Sequence, residues 1–240
     1  MIVLPQMRGV HGAAQGVSQD PYWSSVVYLC HFDSSSGTPR AFVQQSSLGS
    51  SIANASGTVP DVSSTQSKFG GFALAYNASG NNRCQSVDSD YQMNTGDFTC
   101  EWFQRLASVT ASYVFFDMRS TTGQSMPVVY SNTSGGVKLL IGAVDQITSA
   151  NSVLLLNTWQ HIALTRAGTS TKLWVDGAQV GSTYSDSNNY NNGGTQITVG
   201  AACNGGLPAL SSYFDEVRVT RGVARYSGTF TPPAAPFPNA

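Results

Sequence analysis

Residues 211–238, SSYFDEVRVTRGVARYSGTFTPPAAPFP, join an alternating run to an abrupt stop. Tyr213, Asp215, Val217 and Val219 alternate with Phe214, Glu216, Arg218 and Thr220, which is the period of a strand. A turn at Thr220-Arg221-Gly222 follows, and then a Pro-rich tail that cannot extend a central strand. The alternation predicts that Asp215 shares the inward, mostly apolar face. A carboxylate there is costly unless it is paired, hydrogen-bonded or bound to a cation. A chain ending this way is constrained to a β-fold that can house one inward acid.

Strand signals of the same kind recur through the chain. VVYLCHF (26–32) reads as a first core strand, with His31 in a packing or hydrogen-bonding role and Asp33 in the loop that follows. SKFGGFALAY (67–76) bends at two glycines and then alternates. In GDFTCEWFQRL (96–106), Phe98, Cys100, Trp102 and Gln104 form the expected core face. Thr99, Glu101, Phe103 and Arg105 take the opposite face, expected to be the exposed concave side of a sandwich. Short strands follow at 112–118, 126–130, 137–143, 159–166 and 195–203. Asp176-Gly177, between two alternating runs, predicts a type I′ hairpin turn.

Glu101 and Arg105 flank Phe103 on one face, and Tyr184 and Tyr190 sit in the Asn-rich loop 184–194. Charged groups beside aromatic rings suit a ligand-binding surface, so these five residues are the candidate ligand contacts. Residues 1–21 lack any period and read as an arm or anchor outside the domain 22–240, with Ile2, Val3 and Leu4 as an apolar grip on a partner. The 240 residues suffice for one large sandwich. With 12 Lys+Arg against 13 Asp+Glu, no basic cluster points to nucleic acid. No run reaches the ~18 apolar residues of a membrane span, and residues 1–20 lack a signal-peptide core, so synthesis in the cytosol is expected. Cys30, Cys84, Cys100 and Cys203 form no metal-type spacing, and Cys30 and Cys100 read as small buried hydrophobes.

FDEVRVTRGVARYSGTFTPPAAPFP resembles the C-terminal signature of laminin-G-like, concanavalin A-type jelly-roll domains found in tailed-bacteriophage structural proteins. VVYLCHFDSSSG, SKFGGFAL, GDFTCEWF, WQHIALTR and KLWVDGAQVGS resemble the same family in the same order, over roughly residues 22–238. The resemblance implies an all-β, antiparallel two-sheet jelly-roll sandwich with an extended N-terminal arm. It implies glycan binding on the concave face and a rim calcium site that includes Asp33 and Asp215. The alternative for Asp215 is that it accepts backbone N–H groups and holds the loop after the first strand. The resemblance further implies a non-enzymatic virion surface protein, made in the host cytoplasm. Such a protein docks on other virion proteins of capsid or tail, meets a host-surface glycan, and forms a homo-oligomer. The alternatives are a purely structural head decoration protein that cements the capsid lattice, or a secreted carbohydrate-binding protein.

The related β-glucanases cleave with alternating carboxylates of E-x-D-x-x-E type, held about 5–5.5 Å apart for retention. No such run occurs here. On a regular strand Asp215 and Glu216 would point to opposite faces and could not act on one atom. His11, His31 and His161 fall in separate elements. The expectation is a binding protein, not an enzyme.

Overall fold

A computed structural model describes residues 19–33, 60–76, 83–191 and 196–239. The first strands are β1 (Val26–Cys30), β2 (Asp61–Ser63), β3 (Ala73–Tyr76), β4 (Cys84–Val87) and β5 (Phe98–Leu106). Next come β6 (Val114–Asp117), β7 (Val128–Ser131), β8 (Val137–Ile141), β9 (Val144–Thr148) and β10 (Trp159–Ala167). The last are β11 (Ser170–Val175), β12 (Ala178–Ser185), β13 (Gln196–Val199) and β14 (Ser212–Arg221). Two three-residue 3-10 turns are the sole helical pieces among the described residues. The hairpin β8–β9 was not legible, because the Gly142 turn sits inside the apolar run 137–144 without a flanking turn cluster.

The strand pairings among the described residues are antiparallel, in two sheets, and one isolated bridge, Leu106 with Leu156, is parallel. The eight-stranded sheet runs β12-β11-β10-β5-β14-β3-β2, with β1 also on β14. The six-stranded sheet runs β4-β13-β6-β7-β8-β9. The β11–β12 turn has φ of +48° at Asp176 and +80° at Gly177, the predicted mirror-image turn.

The core fills the space between the sheets, as in any stacked sandwich. Phe98, Cys100, Trp102 and Leu106 of β5 enter it, with Ile162 and Leu164 of β10 and Phe214, Val217 and Val219 of β14. The six-stranded sheet answers with Phe115, Phe116, Val129 and Leu139. Trp102 stacks on Phe116 across the layers, at 5.4 Å between centroids and 10° between planes. The four cysteines are buried and unpaired.

The inward set of β14 differs from the alternation read off the sequence. Phe214, Val217 and Val219 enter the core, so Tyr213 and Asp215 do not share that face. The register explains the change of phase. Asp215 faces Phe103 and Arg218 faces Glu101, so three steps on β14 match two on β5. This bulge carries one extra residue, with Glu216 at φ +53°. Its position is not arbitrary. Residues 212–214 pair with β3 and residues 217–220 pair with β1, so the bulge falls where β14 changes neighbour.

Candidate functional site

The off-core face of the eight-stranded sheet was expected to be open, and most of it is covered. Gly222 ends β14 against Asp97, and the chain then turns back over the sheet. Thr99 Oγ1 donates to the carbonyl of Val223 at 2.9 Å and accepts from Arg225 N at 2.9 Å. Phe230 N–H donates to Gly177 O at 3.1 Å, which ties the tail to the β11–β12 turn. The Tyr226 and Phe230 rings stack at 3.5 Å, and Phe230 meets Trp174 edge-on at 5.7 Å. Phe237 lies over the Arg218 guanidinium at 3.9 Å.

Glu101 is the centre of this cover, at 0 % exposure. It accepts from Arg218 Nε at 2.9 Å and Nη2 at 2.8 Å, from Tyr226 Oη at 2.6 Å, and from His161 Nε2 at 3.1 Å. Arg218 Nη1 reaches Asp20 at 2.9 Å, and Arg225 bonds both Asp20 oxygens at 3.0 and 2.7 Å. Burial pushes the Glu101 carboxyl upward, but Arg218 and His161 outweigh it and hold the group well below the usual carboxylate range. The network is saturated with donors and serves to fasten the tail.

Three ligand-contact expectations are thereby corrected. Glu101 is enclosed by its partners, and Phe103, 2 % exposed, packs with Val26, Leu29 and Phe237. Tyr190 is fully buried, donating to Asp186 Oδ2 at 2.7 Å and standing edge-on to Phe98 at 5.9 Å. Tyr184 is half-buried and accepts from Asn188 Nδ2 at 3.0 Å. Arg105 is half-buried near the end of β5, in register with Trp159 of β10 and Tyr213 of β14. Directly opposed residues share a face, about 5 Å apart at Cβ. Trp159, Arg105 and Tyr213, all half-buried, thus form one row across three strands, off the core side. Sequence reasoning found Arg105 alone. Trp159 and Tyr213 alternate with core residues on their own strands, but only the register joins them. Ile2, Val3 and Leu4 lie outside the described residues.

A second cluster stands at the bulge. β1 ends at Cys30 opposite Val217, so His31 and Asp33 leave the sheet beside Glu216. The ligand atoms of His31, Asp33 and Glu216 lie within 4.8 Å of one another. His31 Nδ1 is 2.7 Å from Glu216 Oε1, and Nε2 is 2.7 Å from Asn239 Oδ1. Glu216 Oε2 accepts from Phe237 N at 2.7 Å. Burial lowers the His31 pKa, but the hydrogen bond and charge of Glu216 outweigh it and raise the value. The side chain of Asp33 is packed against Gly70, where an added Cβ would fall 1.7 Å from Oδ1.

Asp215 adjoins this cluster. Its Oδ2 accepts from Lys68 N at 2.8 Å and Phe69 N at 3.1 Å. It therefore holds the segment entering β3, not the loop after β1. Its Oδ1 is buried without a hydrogen-bond partner. Burial raises its pKa to about 8; Lys68 and Phe69 N–H oppose this, and the charges of Glu216 and Asp33 add to it. The bulge also corrects the expected separation of Asp215 and Glu216, since both now lie off the core side. Calcium, expected at Asp33 and Asp215, wants about 6–8 hard oxygen donors. The set here includes a ring nitrogen beside the carboxylates.

No helix among the described residues is long and apolar enough to cross a membrane. A search of curated proteins by sequence finds no match. Solved structures show the same fold. The binding domain of Paraclostridial mosquitocidal protein 1 superposes with a TM-score of 0.62 at 12% identity, over 84% of this chain and 50% of that one. A botulinum neurotoxin type C structure, described by cell entry dependent on two ganglioside molecules, gives 0.59 at 11%, over 84% and 49%. Trypanosoma rangeli sialidase gives 0.55 at 10%, over 83% and 31%. The chain thus spans half the length of the toxin structures, and less of the sialidase. A family model described as concanavalin A-like lectin/glucanases superfamily, of laminin G type, matches residues 78–224. That match takes in more than half of the chain and strands β4 to β14, drawn from both sheets, and the chain belongs to this family.

Proposed function

We propose that this protein is a non-enzymatic, lectin-like module that binds a glycan at the uncovered end of its eight-stranded sheet. The observation that carries the reading is the row Trp159–Arg105–Tyr213. Two half-buried aromatic rings flank a guanidinium there, which offers stacking faces for a sugar ring and fixed donors for its hydroxyls. Likeness to toxin binding domains, one of them tied to gangliosides, supports binding over catalysis. So does the state of the acids at the bulge. Asp215 and Glu216 are both at 0 % exposure, and Glu216 has both oxygens hydrogen-bonded, so no glycosidic oxygen reaches between them.

The place of action in this reading is the surface of a tailed-bacteriophage particle. The arm ahead of Asp20, a residue itself tied to Arg218 and Arg225, docks on a capsid or tail protein, and several copies present their sheet ends to the host. The motif set that resembles phage structural proteins supports this. The test is glycan-array binding by the full chain beside Trp159→Ala, Arg105→Ala and Tyr213→Ala. Binding lost in these variants, with unchanged melting, is the expected result. Equal binding by all four proteins would refute the site. Deletion from a particle should reduce adsorption and leave heat resistance intact. The reverse outcome would identify a cement protein of the head, and sugar release from a glycan panel would identify an enzyme.

A further inference from the structure

We propose that His31, Asp33 and Glu216 bind one divalent transition-metal ion of the zinc type. The inference is independent of the glycan reading, because its residues and its test are different.

Three ligand atoms from two segments already lie within 4.8 Å of one another. Both segments are bent toward each other by residues in the left-handed region, Phe32 at φ +59° and Glu216 at φ +53°. Such conformations are costly for non-glycine residues and persist where the surroundings impose them.

The outer contacts match those of a metal centre. A ligating His ordinarily gives its other ring N–H to an oxygen, and a ligating carboxylate is itself hydrogen-bonded. Here His31 Nε2 faces Asn239 Oδ1, and Glu216 Oε2 is held by Phe237 N–H. The atoms left over are His31 Nδ1 and Glu216 Oε1, pointed at each other across 2.7 Å. That separation is a hydrogen-bond distance, which a metal ion would replace. Tetrahedral zinc with bonds of about 2.0–2.1 Å needs ligand atoms roughly 3.3 Å apart, a small opening of this gap. Asp33, on the exposed side, is the third ligand, and water completes the shell.

A separate observation points the same way. Asp215 is fully buried, yet its Oδ1 has no hydrogen-bond partner. Buried polar side-chain atoms are nearly always satisfied, so this one has room for a partner that the protein itself does not supply. A divalent ion held by the adjacent Glu216 would bring a shell of water and charge beside that residue. One nitrogen with carboxylate oxygens selects zinc-type ions over calcium.

The test uses the full chain, stripped with a chelator and dialysed, then titrated calorimetrically with zinc alone and with calcium alone. Cobalt serves as a spectroscopic probe through its visible absorption. One zinc per chain is expected, with zinc raising the melting temperature and calcium having no effect. Asp33→Asn leaves the fold intact because Asp33 is exposed, and should weaken zinc at least tenfold. Asn239→Ala should weaken it by about 10–100-fold, the usual effect of an outer-shell loss. Absence of saturable zinc binding, or zinc binding unchanged in Asp33→Asn, overturns the proposal. Calcium bound in place of zinc, and lost in Asp33→Asn, overturns it as well.

Discussion

Replacing Glu101 by Gln tests whether the tail is fastened by charge. Every group around the Glu101 carboxylate is a donor: two Arg218 N–H groups, the Tyr226 hydroxyl and His161 Nε2. A Gln amide keeps one oxygen but turns its NH2 toward donors. It also leaves the Arg218 guanidinium, 4 % exposed, with Asp20 as its remaining acid. Removing one partner of a buried pair costs about 3–5 kcal/mol, and the surviving Asp20 contact argues for the low end, about 3 kcal/mol. For a domain of this size each kcal/mol lowers the melting temperature by about 2–4 °C, so a fall of roughly 6–12 °C is expected. The assay is urea unfolding of the full chain with a shared m-value, checked by calorimetry. Asp145→Asn is the control, because the Lys138–Asp145 pair at 2.7 Å is partly exposed and is worth about 0–1 kcal/mol. Glu101→Gln combined with Arg218→Met should cost less than the sum of the two single losses, since the orphaned charge is gone. A loss below about 1 kcal/mol for Glu101→Gln, or strict additivity in the double variant, would refute the reasoning.

Acid titration should show the same network from another side. The depressed Glu101 pKa gives stability that is present above the unfolded carboxylate value, about 4.3, and is lost as pH falls toward the folded value. The gap in urea midpoint between the native chain and Glu101→Gln should hold from pH 7 to 5 and narrow at pH 3. Gly177→Ala would place Cβ 1.8 Å from Phe230 O at a φ of +80°, and should cost about 1–3 kcal/mol while making the tail more sensitive to protease. Gly222→Ala has the same φ with nothing within 4 Å, and should cost only the backbone term of about 1 kcal/mol, with the tail still protected. Burial pushes the thiols of Cys84 and Cys100 upward, so a thiol reagent should label neither until the chain is unfolded.

The two-layer β-architecture was legible because local pattern and tertiary burial agree along β5 and β10. Phe98, Cys100 and Trp102 alternate in the sequence and enter the core in the structure. Asp176-Gly177 was legible because the turn it makes depends on those two residues alone. The bulge was not. Its cause is the exchange of β3 for β1 along β14, a fact about neighbours far apart in the chain. The alternation of 213–219 was therefore read one step out of phase up to Asp215, where Phe214 points inward instead of Tyr213 and Asp215. The tail was read as a stop, since Pro ends strands, although Tyr226, Phe230 and Phe237 are apolar bulk with no other place to go. Those rings were the available sign that the opposite face of β5 would be covered. Tyr190 looked like a loop aromatic until its hydroxyl was seen bonded to the buried Asp186. Arg105 is half-buried, and what the sequence could not show is its register with Trp159 and Tyr213.

The tail's route also bears on how the molecule matures. β14 lies between β5 and β1, and the last described residue, Asn239, closes the contact with His31. A nascent chain thus makes β5 and β10 long before it can bury Glu101, whose partners Arg218 and Tyr226 come near the end. Until then that acid and its apolar neighbours are open to solvent. A chain cut before Gly222 would keep all fourteen strands yet leave one side of the larger sheet bare.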